Sequence, residues 1–277
     1  MPLEGWLIVA KKNIFIVKDV EQPLPYLRVI PRLLNGRKVH VEPHKLCTIT
    51  KCLMDPCLHV KIPLFMPDSK SKVISPFEAA NSLNDCNNKV CRAAARLLEL
   101  FQEVGYLAGI SGSLAYKPHS ANDIDIVVYG SSEEAYMFLK ELRQEGVTRP
   151  LYPDNTYSNR LLFGRFLGVP YSIRLVSVTK PRPCIKRVLE RPIVFSAKVI
   201  DSVSYTTPAY YLVKVEKGVY NGIILLIRTL RLRYTELNCK YVVVKGVLER
   251  VCGNMIVSPD VNGYITCNEG PTDTRSI

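Results

Sequence analysis

Gly109-Ile-Ser-Gly-Ser-Leu-Ala-Tyr-Lys-Pro-His-Ser-Ala-Asn-Asp-Ile-Asp-Ile-Val-Val-Tyr-Gly130 decides how this chain is read. Asp123 to Tyr129 has the composition of a strand. Asp123 and Asp125 lie two apart, so both carboxylates leave one face while Ile124 and Ile126 enter a core. Two neighbouring carboxylates repel unless a cation lies between them, and a hard divalent ion, Mg2+ or Mn2+, suits that place. Upstream, Gly112-Ser113 follows an apolar strand at 106–110 and opens a short helix. Its backbone N–H groups and the serine hydroxyl can cradle phosphate oxygens. A phosphate cradle ten residues before a carboxylate pair is a layout for presenting a nucleoside triphosphate.

Working outward, Ser75-Pro76 is an N-cap followed by proline at the first helical position. Val90, Ala94, Leu97, Leu98 and Phe101 recur at helical spacing and predict an amphipathic helix ending near Gly105. A second helix is expected from about Ser132 to Gly146, with Glu133 and Glu134 in its first turn. Residues 161–167 and 170–178 read as a strand pair turning at Gly168-Val-Pro, and Lys180-Pro-Arg-Pro as a linker. Residues 5–70 read as short strands. From Val194 on, five strands (194–200, 209–216, 222–228, 240–250 and 254–258) suggest a small barrel, with the oligonucleotide-binding (OB) fold the natural candidate. The tail from Asn268 is expected to be disordered. The fold class expected is α+β: a β-rich segment at 1–75, a mixed sheet with flanking helices at 76–179, and a small all-β barrel at 190–268.

The central stretch resembles the polymerase-β-like nucleotidyltransferase superfamily, whose hallmark is Gly-Ser followed by two aspartates flanking an apolar residue. Within it, the chain is similar to an archaeal group of predicted nucleotidyltransferases, through 122–130, Leu27-Arg-Val-Ile-Pro31 and Leu248-Glu-Arg-Val251. The resemblance implies that Gly112 and Ser113 hold phosphates and that Asp123 and Asp125 hold Mg2+. An acceptor hydroxyl would attack the α-phosphorus of an NTP and pyrophosphate would leave. It also implies a third carboxylate on a later strand. By order that strand is Pro170 to Val178, where the residue at the acid's place is Arg174, and no Asp or Glu occurs from Asn155 to Leu189. Arginine neither binds Mg2+ nor acts as a base near neutral pH. Three readings stay open: an acid from elsewhere (Asp154, Asp201 or Glu216), a two-carboxylate site in which Arg174 helps hold the triphosphate, or nucleotide or RNA binding without catalysis.

Charge points to the acceptor. Residues 1–75 carry 12 Lys/Arg against 6 Asp/Glu, residues 76–176 carry 10 against 11, and residues 177–277 carry 15 against 8. Two basic flanks around a near-neutral centre favour a polyanion, so RNA is the expected acceptor. A small molecule or a protein side chain, as in some toxin–antitoxin pairs, is the alternative. Arg160 and Arg165 are placed to share a surface with Arg174. Arg231 and Arg233 alternate with Leu230 and Leu232, which on a strand would put both on one face beside Tyr234, with Tyr205, Tyr210 and Tyr211 adding aromatic surface. His119 lies between cradle and carboxylates and is within reach of a nucleotide.

No apolar run approaches the roughly 20 residues that span a bilayer, and no basic segment followed by an apolar one opens the chain. The expectation is a soluble cytoplasmic protein with no membrane partner. Three glutamines suit a thermophile and fourteen asparagines argue against one. The nine cysteines are open between disulfides, free thiols and, for Cys47, Cys52 and Cys57 near His44 and His59, zinc.

Overall fold

The computed structural model describes residues 2–39, 45–152, 158–260 and 263–268. His44, Asp154 and the tail beyond Asn268 lie outside the described residues. The protein is α+β and sheet-rich, 43% strand against 19% helix. Its elements gather into two units, one from residues 1–41 and 63–183, the other from 42–62 and 184–277. The three consecutive segments read from the sequence therefore regroup, because the N-terminal strands pack with the central sheet and a short piece of them joins the C-terminal unit.

In the first unit the central sheet runs Leu107–Ile110, Ile124–Tyr129, Val169–Val176, Phe163–Phe166, Thr148–Arg149. Ile124–Tyr129 pairs antiparallel with Leu107–Ile110 and parallel with Val169–Val176. That mixed pairing puts Ile124 and Ile126 in the core, 0% and 1% exposed. Helix Lys89–Glu103 buries Ala94, Leu97, Leu98 and Phe101, the stripe its spacing demanded. Helix Pro76–Asn81 starts on a full capping box, with the Ser75 side chain accepting from the Glu78 N–H and Glu78 accepting from the Ser75 N–H. Helix Ser132–Gln144 follows, although Ser131 makes no side-chain cap. The hairpin between Phe163–Phe166 and Val169–Val176 turns at Leu167-Gly168, both at positive φ, starting one residue earlier than Gly168-Val-Pro suggests.

A second sheet, Arg37–Lys38, Leu27–Leu34, Asn13–Val17, Leu7–Ala10, Lys72–Ile74, belongs to the same unit. It is fastened by groups the sequence hides. Tyr129 donates its hydroxyl to the Glu4 carbonyl (2.7 Å) and Ser111 donates to the Gly5 carbonyl (2.8 Å). Gly5 has φ +92° and lies so close to Val127 that a Cβ there would stand 2.7 Å from a methyl. Leu3, Val20, Val127, Tyr129 and Val176 make one apolar cluster. The expected linker is also a sheet element, since Arg182–Pro183 pairs parallel with Glu21–Gln22.

The second unit holds one barrel-like sheet. Strands Val188–Val203, Ala209–Lys217, Ile224–Thr229, Asn254–Ser258 and Tyr241–Val251 follow one another in that order, and the last pairs back onto the first. The third and the Asn254–Ser258 strand are parallel. Phe195, Tyr211, Val213, Leu225, Val244 and Leu248 fill the interior. Four disulfides, Cys47–Cys52, Cys57–Cys184, Cys86–Cys91 and Cys239–Cys267, answer the cysteine question and leave Cys252 as an exposed thiol. Zinc at Cys47, Cys52 and Cys57 is thereby set aside. Cys57 finds its partner 127 residues away, which local spacing cannot reveal. Among the described residues no helix is long and apolar enough to cross a membrane.

Candidate functional site

The site grows from the turn that follows Leu107–Ile110. Ser111 donates its N–H to the Asp125 carbonyl (2.9 Å), and the 3-10 helix Gly112–Ala115 then carries the chain away from the sheet. Gly112 has φ +61°, and a Cβ on it would fall 1.7 Å from the Asp125 Oδ2. Only glycine satisfies both the left-handed backbone and that close approach. Asp125 thus lies against the Gly112 backbone, and the Ser172 hydroxyl donates to its Oδ1 at 2.5 Å.

Register explains the serine. Ser172 stands directly opposite Asp125 and Arg174 opposite Val127 on the parallel partner strand. The residue across from the inner aspartate, where the sequence places Arg174, is Ser172. Asp123 is exposed and takes a hydrogen bond from the Ser113 side chain. Partial desolvation and the neighbouring Asp125 charge push its carboxyl up from the ordinary range, against the opposing pull of Lys38 and Ser113. Asp123 and Asp125 with Gly112 and Ser113 therefore come together as their spacing implies.

The second sheet forms the other wall. Ile16, Lys18, Arg32, Ser111, Gly112, Asp125, Ser172 and Arg174 line one pocket. Lys18 follows strand Asn13–Val17 directly, and Arg32 lies on Leu27–Leu34. Glu4, wholly buried, joins them: its Oε1 is 2.5 Å from Lys18 Nζ and 3.4 Å from Arg174 Nη1, and its Oε2 accepts the Asp19 N–H at 2.7 Å. Burial, with the adjacent Arg174, lowers the Lys18 amine to about 8, although Glu4 pulls the other way. Tyr116 stands near Arg32, Asp125 and Asp123, and its hydroxyl is raised, chiefly by burial.

The remaining expectations divide. Arg165 pairs opposite Pro170 in the hairpin whose Phe163 faces Ser172, so alternation puts Arg165 and Arg174 on the face of Asp125. Arg160 sits over the Phe163 ring, 4.3 Å from its centroid. His119 is exposed in a short 3-10 turn. Asp201 and Glu216 belong to the second unit, on strands Val188–Val203 and Ala209–Lys217.

The strand expected at 222–228 runs Ile224–Thr229, and Arg231 and Arg233 lie beyond its end and on no strand. Half-buried Asp260 accepts the Thr229 hydroxyl (2.6 Å) and the Leu230 N–H (2.8 Å) where the chain turns out of the sheet. Arg231 then donates to the Asp260 carbonyl. Arg233 lies in a 3-10 turn over the Tyr234 ring, 5.3 Å from the centroid. The two arginines share no strand face. Tyr211 is 1% exposed and gives its hydroxyl to the Tyr234 carbonyl, so it is core and adds no aromatic surface.

Sequence reading missed Ser172, Glu4, Lys18 and Arg32. Ser172 carried a signal, being two residues before Arg174 and so on its face. Lys18 and Arg32 carried none, since Lys18 falls just past its strand and Arg32 shares its strand with Arg28. The chain matches no known protein-family profile, no curated protein and no solved structure.

Proposed function

We propose that the protein is a Mg2+- or Mn2+-dependent nucleotidyltransferase that moves a nucleoside monophosphate from an NTP to an acceptor hydroxyl, RNA being the acceptor. The observation that carries this reading is the pressing of Asp125 onto the Gly112 backbone with Asp123 beside it. That arrangement joins a hard-oxygen donor pair to a Gly-Ser turn. The donor set fits a divalent cation held by two carboxylates, which would offset the Asp125 charge that, after burial, raises Asp123. The cation, when bound to Asp123 and Asp125, would supply charge stabilisation to the reacting phosphate. In the transfer, the acceptor oxygen forms a bond to the α-phosphorus as the bond to the bridging oxygen breaks. The acceptor proton goes to solvent or base, and pyrophosphate leaves. Gly112 and Ser113 would take phosphate oxygens, and Arg174 would offset the charge of the leaving group.

The barrel fits RNA binding. Its strand order and its parallel third and last-in-sequence ring strands match the expected OB arrangement, and the segment is basic. A second reading, a nucleotide- or RNA-binding module without catalysis, is favoured by one specific fact: the side chain opposite Asp125 on the neighbouring strand is a serine, not an acid. Transfer of label from each α-labelled NTP to RNA and to protein separates the two. Incorporation that disappears in Asp123→Asn/Asp125→Asn supports the transferase. RNA retention with no incorporation under any nucleotide, Mg2+ or Mn2+ would sink it and leave the module.

A further inference from the structure

The pocket holds more positive charge than its own acids balance. Lys18, Arg32 and Arg174 face a space in which Glu4 and Asp125 are the carboxylates. If a divalent ion neutralises the aspartate pair, three cations remain against buried Glu4. Glu4 takes its short contacts from Lys18, at 2.5 Å, and from the Asp19 N–H, at 2.7 Å, while Arg174 stands farther off, at 3.4 Å. The Nη1 of Arg174 and the Nε of Arg32 are buried without a hydrogen-bond acceptor from the protein. Buried guanidinium donors left without acceptors are costly, and an arginine fork matches phosphate oxygens in shape and charge.

We propose that Lys18, Arg32 and Arg174 form a subsite for the terminal phosphates of a polyphosphate ligand, and that the N-terminal sheet exists in this unit to supply two of these three cations. The inference rests on the nucleotidyltransferase reading only for the identity of the ligand, as the β- and γ-phosphates of an NTP. The anion subsite itself rests on the cations. The lowered Lys18 amine agrees with this, because a phosphate placed beside it would return the proton that burial and Arg174 drive off. Glu4 is then a positioning residue. It holds Lys18 and Arg174 at the pocket wall without reaching the ligand.

Inorganic tripolyphosphate is the probe, titrated calorimetrically into the full chain in EDTA at pH 7. Wild-type protein should bind it, and Arg32→Gln should weaken binding by about ten- to a hundredfold. Arg32→Lys should recover part of the loss, which a packing role would not give. Arg32 is the preferred position because among the described residues it takes part in no ion pair, and Lys18→Met serves as the second variant. Asp123→Asn/Asp125→Asn should bind the probe at least as well as wild type, since it removes negative charge. Wild-type affinity in Arg32→Gln, or no binding by wild type at millimolar probe, overturns the subsite. Arg32-dependent binding together with failed label transfer keeps the subsite and overturns the transferase.

Discussion

The two walls of the pocket hold their charges by opposite means. Asp125 sits on strand Ile124–Tyr129 and Asp123 just before its start, two residues apart; the Asp125 charge adds to the raising of Asp123, which is open to solvent. Lys18, Arg32 and Arg174 come from three separate strands or strand ends; Lys18 and Arg174 meet on Glu4, which is 0% exposed, and Arg32 lines the same pocket. The acid wall is local, tolerant of water and adjustable by a cation. The cation wall is long-range, dry and built into the fold. Asp123 can be changed with little structural consequence, whereas buried Glu4 cannot.

The sharpest break of this contrast is Glu4→Gln. It leaves Lys18 and Arg174 buried without their carboxylate and should destabilise the protein by about 3–5 kcal/mol at pH 6. Lys18 can escape the penalty by losing its proton, so the loss measured by denaturant unfolding should shrink as pH rises through about 8. An equal loss at pH 6 and pH 9 would mean that Glu4 does not hold Lys18 by charge.

Next in size is Gly112→Ala, where the two walls meet. The new methyl would stand 1.7 Å from Asp125 Oδ2 at a φ of +61°, so Asp125 must move or the turn must open. A loss of about 1–3 kcal/mol is expected from the clash and backbone strain, together with loss of Mg2+-dependent nucleotide binding. Retained stability and binding would show that Asp125 does not need its place against the turn.

These two positions also mark how far the sequence could be read. Gly112, Ser113, Asp123 and Asp125 were legible because a turn and a two-residue period are local properties, and the helix at Lys89–Glu103 was legible for the same reason. The barrel strands showed through their spacing, although the contacts that fix the chain just past Thr229 come from Asp260, 31 residues downstream. Glu4, Lys18 and Arg32 were illegible as site residues. Their meaning depends on the N-terminal sheet being pinned by Tyr129, Ser111 and Gly5, contacts more than 100 residues apart in sequence. Arg174 was placed one step too close to the acids, because the parallel register that puts Ser172 opposite Asp125 is not written in either strand alone.

The third test uses Lys18 as a probe of the cation wall. Its amine, facing Glu4, Arg174 and Arg32, titrates at about 8 in the free protein, and phosphate binding requires the charged form. Tripolyphosphate affinity should therefore be flat below pH 7 and fall by about tenfold between pH 7.5 and 9.5. Lys18→Met should show weaker binding with no such fall. A wild-type profile that stays flat through pH 9.5 would remove Lys18 from the subsite.

The smallest effect belongs to the acid wall. Asp123 has its carboxyl raised above the unfolded value, so the folded state holds its proton longer, and stability from this group declines as pH rises through that window. At pH 7 without divalent ions, Asp123→Asn should therefore leave the protein slightly more stable, by less than about 1 kcal/mol because the group is solvent-screened. Adding Mg2+ should reverse the order: the wild type gains stability by mass action, and the variant, with half of its donor pair gone, gains less. Thermal melts with EDTA and with Mg2+ measure both signs. If Asp123→Asn is less stable in EDTA, the carboxylate is serving the fold through Ser113 and Lys38, and the case for a cation between the two aspartates loses its physical basis.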